Sequence, residues 1–288
     1  MTKTKPHSDR ITLLVSLDQG YVKPLTVLLT SITLNHPEDD FELVLLHRSM
    51  PEDCLQEIER FAYRCGMDFC PIAVEDSLFV NAPVSQRYPR EMYYRLLAPV
   101  LLPERIQKVL YLDPDILVIN SLRPLWEMPM QGKIFAAAAH TGKTELSNNV
   151  NRLRLKTEHA YFNSGVLLID LQQARKEISP EPIFRFVEEH PQSLVLPDQD
   201  VLNALYGERI LPLDDALWNY DARNYSTYLL RSGGVQDIDW VMSHTAILHF
   251  CGKAKPWKPG YFYRFGILYK HYMQLARLKT ASDRRQDR

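Results

Sequence analysis

The segment KVLYLDPDILVI, from Lys108 to Ile119, holds Asp113 and Asp115 between two apolar runs. A short continuous apolar run such as 108–112 is typical of a buried strand. Side chains two residues apart in an extended chain point to the same face, so both carboxylates can approach one cation. Their hard oxygen ligands suit Mn²⁺ or Mg²⁺ and leave coordination positions for phosphate oxygens. The segment therefore predicts a metal site at the end of a strand.

The alternative interpretation of this pair is a solvated turn. D-x-D patterns also occur at 198/200 and 237/239, but only the pair at 113/115 has apolar runs on both sides. Two unpaired charges between buried segments are costly unless something compensates them. Because strained ionisable pairs are associated with functional sites, we favour the metal site.

Apolar runs alternate with helical patterns on both sides of this segment. Strand-like runs lie at 11–17, 41–47 and 134–139, and helical spacing of apolar residues follows Pro24 and Pro51. This alternation predicts an α/β domain whose mainly parallel sheet has helices on both faces. Ligands of such sheets bind beyond the carboxyl ends of the strands, so the residues after each run are candidates for a site.

The composition excludes several classes of protein. The 288-residue chain is 45% hydrophobic and 24% charged, with a formal net charge of −1. This balance gives no global positive field toward nucleic acid, so no nucleic-acid partner is expected. The four cysteines contain no C-x-x-C pair and are interpreted as reduced thiols. No stretch approaches the roughly 18 apolar residues of a membrane helix, and a cytoplasmic protein is expected.

The C-terminal segment has two interpretations. Residues 261–278 are aromatic and basic. The first interpretation is a helix docked on the domain. The second is a helix lying on a membrane surface, which would give peripheral contact with the inner face of the membrane.

A basic loop supplies the second functional pattern. His249 ends another apolar run and precedes Gly252, Lys253, Lys255 and Lys258. Histidine at a strand end is an available third metal ligand, glycine lets the backbone approach an anion, and the lysines supply positive charge. A lone histidine of this kind is more often a hydrogen-bonded core residue. Beside the carboxylate pair, a shared diphosphate–metal site explains it better.

A partial phosphate-binding motif lies at 140–144. His140-Thr-Gly142-Lys143-Thr144 resembles the end of a P-loop, but Ala137 stands where that motif needs its first glycine. A phosphotransferase is therefore kept only as a third functional hypothesis.

Several spaced segments between about residues 11 and 258 make the chain similar to the retaining glycosyltransferases of family eight. Tyr111-Leu-Asp113-Pro-Asp115 matches the metal motif of that family, and Tyr93-Tyr94-Arg95-Leu96 matches the segment whose arginine reaches the donor sugar and diphosphate. The resemblance implies a single GT-A-type, Rossmann-like domain over residues 1–260, with a mixed, mainly parallel sheet, and a helical, basic tail over 261–288.

The resemblance also implies the remaining site residues. It places Asp18 at the uracil ring, Asn163 at the donor sugar, and Asp198 and Gln199 near the anomeric carbon. His249 falls on the third metal ligand, and Gly252 and Lys255 fall on the diphosphate contacts. The implied cofactor is Mn²⁺ or Mg²⁺.

The activity that the resemblance implies is transfer of a hexose, with retention, from a UDP-sugar to a saccharide or glycolipid acceptor. Asp198 and Gln199 are the candidate catalytic residues. An amide is a poor nucleophile, so we favour front-face attack in which Gln199 stabilises positive charge. The chain has Gly20 and His140 where the family has asparagine and, in galactosyltransferases, aspartate. These departures leave glucose and galactose both open, and they keep a nucleotide-sugar-binding protein without turnover as the second hypothesis.

Overall fold

The computed structural model of the chain describes residues 10–85, 89–139, 145–191 and 194–281. Within these residues, ten strands form two sheets that pack in one α/β unit. The strands are β1 Ile11–Ser16, β2 Phe41–His47, β3 Met67–Ala73, β4 Lys108–Leu112, β5 Ile116–Val118, β6 Phe135–Ala138, β7 Val166–Asp170, β8 Ile210–Leu213, β9 Tyr220–Asp221 and β10 Ile247–His249.

The larger sheet is mixed and mainly parallel, as the sequence predicts. Its seven strands have the order β3-β2-β1-β4-β7-β6-β8. Only β7 runs against its neighbours, and it is antiparallel to both β4 and β6. A second, three-stranded sheet has the order β5-β10-β9. The predicted mixed, mainly parallel α/β sheet is thus confirmed.

Helices cover both faces of the large sheet. Alternate residues of β1 and β2 enter two separate hydrophobic clusters, with Leu13 and Leu43 on one face and Leu14 and Val44 on the other. The helices are α1 Val22–Asn35, α2 Glu52–Arg64, α3 Glu91–Tyr94, α4 Ala98–Leu101, α5 Arg123–Trp126, α6 Glu145–Leu155, α7 Leu171–Glu177, α8 Pro180–Glu189, α9 Pro197–Tyr206, α10 Asp215–Trp218, α11 Tyr225–Arg231, α12 Ile238–His244 and α13 Gly266–Ala281. The run 108–112 and the run 41–47 form the strands predicted for them.

The C-terminal helix α13 packs on α1. Tyr269 and Ala276 of α13 are buried in the core that α1 also enters. The Asn35 amide at the end of α1 donates to the Tyr272 hydroxyl at 3.1 Å. Helix α13 is thus docked on the domain, as the first interpretation of the C-terminal segment expects. The side chains of Phe262 and Ile267 nevertheless remain exposed, at 81% and 80%. Among the described residues, no helix has the length and apolar character required to cross a bilayer.

Candidate active site

Strand pairing brings the predicted ligands to one edge of the sheets. Asp113 follows β4 directly, and the Asp113 amide donates to the Gly165 carbonyl at 2.8 Å because antiparallel β7 begins at that edge. In the small sheet, His249 pairs with Ile116 in register, which places it beside Asp115. The Phe250 amide also donates to the Asp115 carbonyl at 3.0 Å. Residues more than 130 positions apart therefore meet through backbone pairing alone.

Asp113, Asp115 and His249 form a cluster that could hold a metal ion. One ligand atom from each lies within 4.8 Å of the others. The His249 Nε2 atom is 3.3 Å from Asp115 Oδ1 and 3.7 Å from Asp113 Oδ2. Asp115 and His249 are buried, and Asp113 is partly buried. The structure therefore brings together the three residues that the sequence analysis predicted as metal ligands.

The electrostatics of the cluster favour positive charge at its centre. Burial disfavours the imidazolium, but interactions with Cys251 and Asp115 outweigh burial and raise the pKa of His249. Burial likewise favours a neutral carboxyl, yet His249 and Lys255 together lower the pKa of Asp115. Two carboxylates and one imidazole are donors that suit Mn²⁺ or Mg²⁺. The residues present fit a divalent cation.

Two cations flank this cluster. Lys255 Nζ contacts Asp115 Oδ2 and donates to the Phe250 carbonyl at 3.0 Å. The Arg95 guanidinium is 3.0 Å from Asp113 Oδ1 and 3.2 Å from Asp198 Oδ2, and it lies over the Tyr111 ring. Both cations line the same cavity as the cluster. An anion beside the cluster would thus meet positive charge from both sides.

Helix α9 carries the second D-x-D pair, Asp198 and Asp200, and directs the two side chains to different surroundings. Asp198 faces the cavity, where it accepts from Arg95 and from the Ser164 hydroxyl at 2.8 Å. Asp200 points away from the cavity and is fully buried against Arg154 and Tyr161. The two carboxylates do not share a cation because, on a helix, residues two apart lie on different faces.

The third D-x-D pair, at 237/239, has a purely local role. Asp237 is the N-cap of α12 and accepts from the Trp240 amide at 2.8 Å. The pattern alone does not separate this helix cap from a ligand pair.

A chain of side-chain amides connects the cluster to α9. His249 Nδ1 is 2.8 Å from Asn219 Oδ1, and Asn219 Nδ2 donates to Asn163 Oδ1 at 2.9 Å. Asn163 Nδ2 in turn donates to Gln199 Oε1 at 3.0 Å. Asn163 and Gln199 were predicted from the family pattern. Asn219 was not, because it lies between Trp218 and Tyr220 without any motif.

All ten predicted site residues line one cavity of about 860 Å³. Asp18 is exposed at its rim, where its side chain accepts from the Gly20 amide at 2.7 Å. Gly252 has φ +82°, a backbone conformation that other residues rarely adopt, so this turn strongly favours glycine. The ten residues are Asp18, Arg95, Asp113, Asp115, Asn163, Asp198, Gln199, His249, Gly252 and Lys255.

Several further residues at the cavity were not predicted from the sequence patterns. Tyr21 and Arg223 also line the cavity, as does Ser164. Tyr21 packs edge-on against Trp257 at 5.8 Å between ring centroids. His140 and the P-loop-like segment at 140–144 lie outside the described residues.

The fold and the site define a class of α/β proteins in which a cluster that could hold a divalent cation lies in a cavity with flanking positive charge. The chain belongs to glycosyl transferase family 8, whose family model matches residues 12–259. The family assignment made from spaced motifs is confirmed.

Relatives agree with this assignment, and a solved structure confirms the predicted GT-A-type fold. The general stress protein A of Bacillus subtilis is 28% identical over 94% of this chain and 96% of its own length. A lipopolysaccharide 1,2-glucosyltransferase of Escherichia coli K12 is 24% identical over 96% of this chain and 81% of its own. The crystal structure of the galactosyltransferase LgtC with donor and acceptor sugar analogues superposes with a TM-score of 0.77, at 24% identity, over 92% of this chain and 95% of LgtC.

Gly165 is expected to support metal binding by leaving room for two of the ligands. A Cβ at this position would lie 2.4 Å from His249 Cε1 and 2.6 Å from Asp113 Oδ2. Gly165→Ala must therefore displace two ligands, and we expect Mn²⁺ affinity to fall about 10- to 100-fold, the effect typical of disturbed ligand support. The measurement is titration of Mn²⁺ followed by electron paramagnetic resonance.

Gly207→Ala is the matched control for this change. A Cβ at Gly207 would lie 1.9 Å from His159, a severe clash away from the cluster. This variant should lose stability and keep wild-type Mn²⁺ affinity. Equal Mn²⁺ affinity in the two variants would contradict the role given to Gly165.

Proposed function

We propose that this family member is a metal-dependent retaining hexosyltransferase that moves glucose or galactose from a UDP-sugar to a saccharide or glycolipid acceptor. The observation that carries the proposal is the Asp113–Asp115–His249 cluster, with Arg95 and Lys255 beside it, on one cavity of a family 8 chain. The names of the glucosyltransferase and galactosyltransferase relatives support a hexose.

The bond that breaks joins the anomeric carbon to the diphosphate oxygen, and the departing UDP gains negative charge. Arg95 and Lys255 lie where they can stabilise that charge as it develops. A divalent cation held by Asp113, Asp115 and His249 would supply further positive charge to the same diphosphate. Mn²⁺ or Mg²⁺ suits these donors.

The bond that forms joins the acceptor hydroxyl oxygen to the anomeric carbon. Retention is explained by front-face attack, in which the acceptor proton passes to the leaving phosphate oxygen. Asp198 is held by Arg95 and Ser164, so its carboxylate is already engaged in ion pairing and hydrogen bonding. This engagement favours a role in positioning the donor over nucleophilic attack. A glycosyl adduct on Asp198, detected by mass spectrometry during turnover, would reverse this assignment.

The remaining residues complete the donor site in this proposal. Asp18, at the cavity rim, contacts the uracil ring, and Asn163 contacts the donor sugar. Gly252 brings the backbone of its loop to the diphosphate beside Lys255. The Gly20 and His140 departures leave the choice of hexose to experiment.

Cytoplasmic location with peripheral contact at the inner face of the membrane forms part of the proposal. The exposed Phe262 and Ile267 beside the basic C-terminal helix support such contact. Sedimentation with anionic vesicles tests it, and a protein that stays wholly in the supernatant would count against it.

The proposed function predicts metal-dependent release of UDP. Incubation with UDP-glucose or UDP-galactose and Mn²⁺ should release UDP, EDTA should abolish release, and added Mn²⁺ should restore it. A coupled assay for UDP gives the rate.

The same assay separates the alternatives. Donor binding in a thermal-shift assay without any UDP release would favour a nucleotide-sugar-binding protein. ATP turnover that survives Asp113→Ala would favour the phosphotransferase.

A further inference from the structure

Asn219 is the buried centre of the amide chain described above. It follows α10, is completely buried, and lies between a predicted metal ligand, His249, and the predicted donor contact Asn163. A buried asparagine has two donors and an oxygen acceptor, and its two ends are chemically distinct. The orientation of the Asn219 amide therefore determines whether each neighbour donates or accepts the hydrogen bond between them.

A backbone amide sets the orientation of the whole chain. The Gly165 amide donates to Asn163 Oδ1 at 2.9 Å, and a backbone N–H can only donate. Asn163 must therefore present its oxygen on that side, and the group of Asn219 that reaches the same oxygen must be its NH₂. It follows that Asn219 presents its oxygen to His249.

The consequence at the metal cluster is a defined histidine tautomer. Because Asn219 Oδ1 can only accept, His249 Nδ1 carries the proton. His249 Nε2, which faces Asp113 and Asp115, is then the nitrogen whose lone pair a metal can use. A second hydrogen bond that holds a ligating histidine in this way is a common determinant of metal affinity.

The consequence at α9 concerns Gln199. Asn163 presents its NH₂ to Gln199 Oε1, so that oxygen is already engaged. The Gln199 side chain lines the cavity, and its NH₂ lies on the opposite side of the amide from the group that Asn163 engages. In the proposed transfer, this NH₂ can donate a hydrogen bond to the donor sugar.

We propose that Asn219 is a positioning residue that passes the direction set by the Gly165 amide from Asn163 to His249. It holds His249 in the tautomer that leaves Nε2 for the metal. Its NH₂ also helps the Gly165 amide to hold Asn163, whose own NH₂ engages Gln199 Oε1. The first effect is independent of any reaction, and the second rests on the proposed glycosyl transfer.

Mn²⁺ titration of Asn219→Leu, followed by electron paramagnetic resonance, tests the first effect. Leucine has a similar size but cannot accept the Nδ1 proton, and we expect Mn²⁺ affinity to fall about 10- to 100-fold. Thr245→Val is the matched control, because the buried Thr245 hydroxyl donates to the Ala216 carbonyl at 2.7 Å away from the cluster. It should lower the Tm and leave Mn²⁺ affinity unchanged. Wild-type affinity in Asn219→Leu, or an equal loss in Thr245→Val, would overturn the proposal.

The wild-type protein provides a second test that does not depend on folding of a variant. Nitrogen chemical shifts of His249, measured by NMR in the diamagnetic Mg²⁺-loaded protein, report which ring nitrogen carries the proton. A protonated Nδ1 is expected. A protonated Nε2 would refute the proposed orientation of Asn219.

Asn219→Asp tests the link to Gln199. Aspartate keeps the oxygen that accepts from His249 but has no N–H for Asn163 Oδ1. Mn²⁺ affinity should be retained, whereas kcat for hexose transfer should fall about 100-fold, as for a misplaced contact in a reacting complex. Wild-type kcat with intact Mn²⁺ binding would overturn this link. If the wild-type protein released no UDP at all, the proposed function would fail while the Mn²⁺ and NMR results on His249 would still stand.

Discussion

Asp115→Asn is expected to lower the rate of UDP release with Mn²⁺ about 10³-fold, which corresponds to about 4 kcal/mol of transition-state stabilisation. The buried Asp115 carboxylate contacts both His249 Nε2 and Lys255, and asparagine keeps its size while removing its charge. A neutral amide holds a divalent cation far less well than a carboxylate. It also removes the negative charge with which the Lys255 ammonium group is paired.

The measurement is the UDP-coupled rate as a function of Mn²⁺ concentration. Asp237→Asn is the matched control, since it makes the same substitution in the D-x-D pair that caps α12, and asparagine caps a helix as well as aspartate. That control should keep the wild-type rate. A rate in Asp115→Asn within about tenfold of wild type, or about 1.4 kcal/mol, would argue against a metal at this cluster.

Arg154→Leu is expected to lower the free energy of unfolding by about 3–5 kcal/mol. Asp200 is completely buried, and the Arg154 guanidinium donates to both of its oxygens, at 2.9 and 2.5 Å. Tyr161 and the Val195 amide also donate to Asp200. Removing the Arg154 guanidinium leaves the buried Asp200 carboxylate with hydrogen bonds but without an opposite charge. An uncompensated buried charge of this kind is strongly destabilising. Chemical denaturation monitored by circular dichroism measures the change.

The exposed pair Arg185–Glu181 provides the comparison. Its side chains are 62% and 77% exposed, so Arg185→Leu should cost less than about 1 kcal/mol. Adding Asp200→Asn to Arg154→Leu should recover part of the loss, because the uncompensated charge is then gone. If Arg154→Leu unfolds at the same denaturant concentration as Arg185→Leu, the pair contributes no more than a surface ion pair.

The fold was largely predictable from local sequence. The runs 41–47 and 108–112 formed the strands expected of them because a continuous apolar segment of that length can be buried on both faces. Helix α1 begins at Val22, two residues before the predicted start at Pro24, since proline is tolerated within a first turn. The reversal of β7 could not be derived from its apolar run, because parallel and antiparallel strands have the same hydrophobic pattern when both faces are buried.

The candidate site was predictable to the extent that its residues follow strands. Asp113 and His249 were identified because each comes directly after or at the end of an apolar run. Asp200 shows where this reasoning stops. It belongs to the same D-x-D pattern as Asp198, but the helix turns its carboxylate toward Arg154 and away from the cavity.

The sequence by itself determined the α/β class, the family, and the residue types that a cation and a diphosphate require, since these depend on periodicity and on spaced motifs. Only the tertiary structure decided how those residues meet. The β5–β10 register places His249 beside Asp115, and a backbone amide at Gly165 orients Asn163, which in turn orients Asn219 and Gln199. The physical reason is that a hydrogen bond has a direction and a partner. The hydrogen-bond partners of Asn219, and the direction of each bond, depend on residues distant in the chain, so no local sequence pattern predicts them.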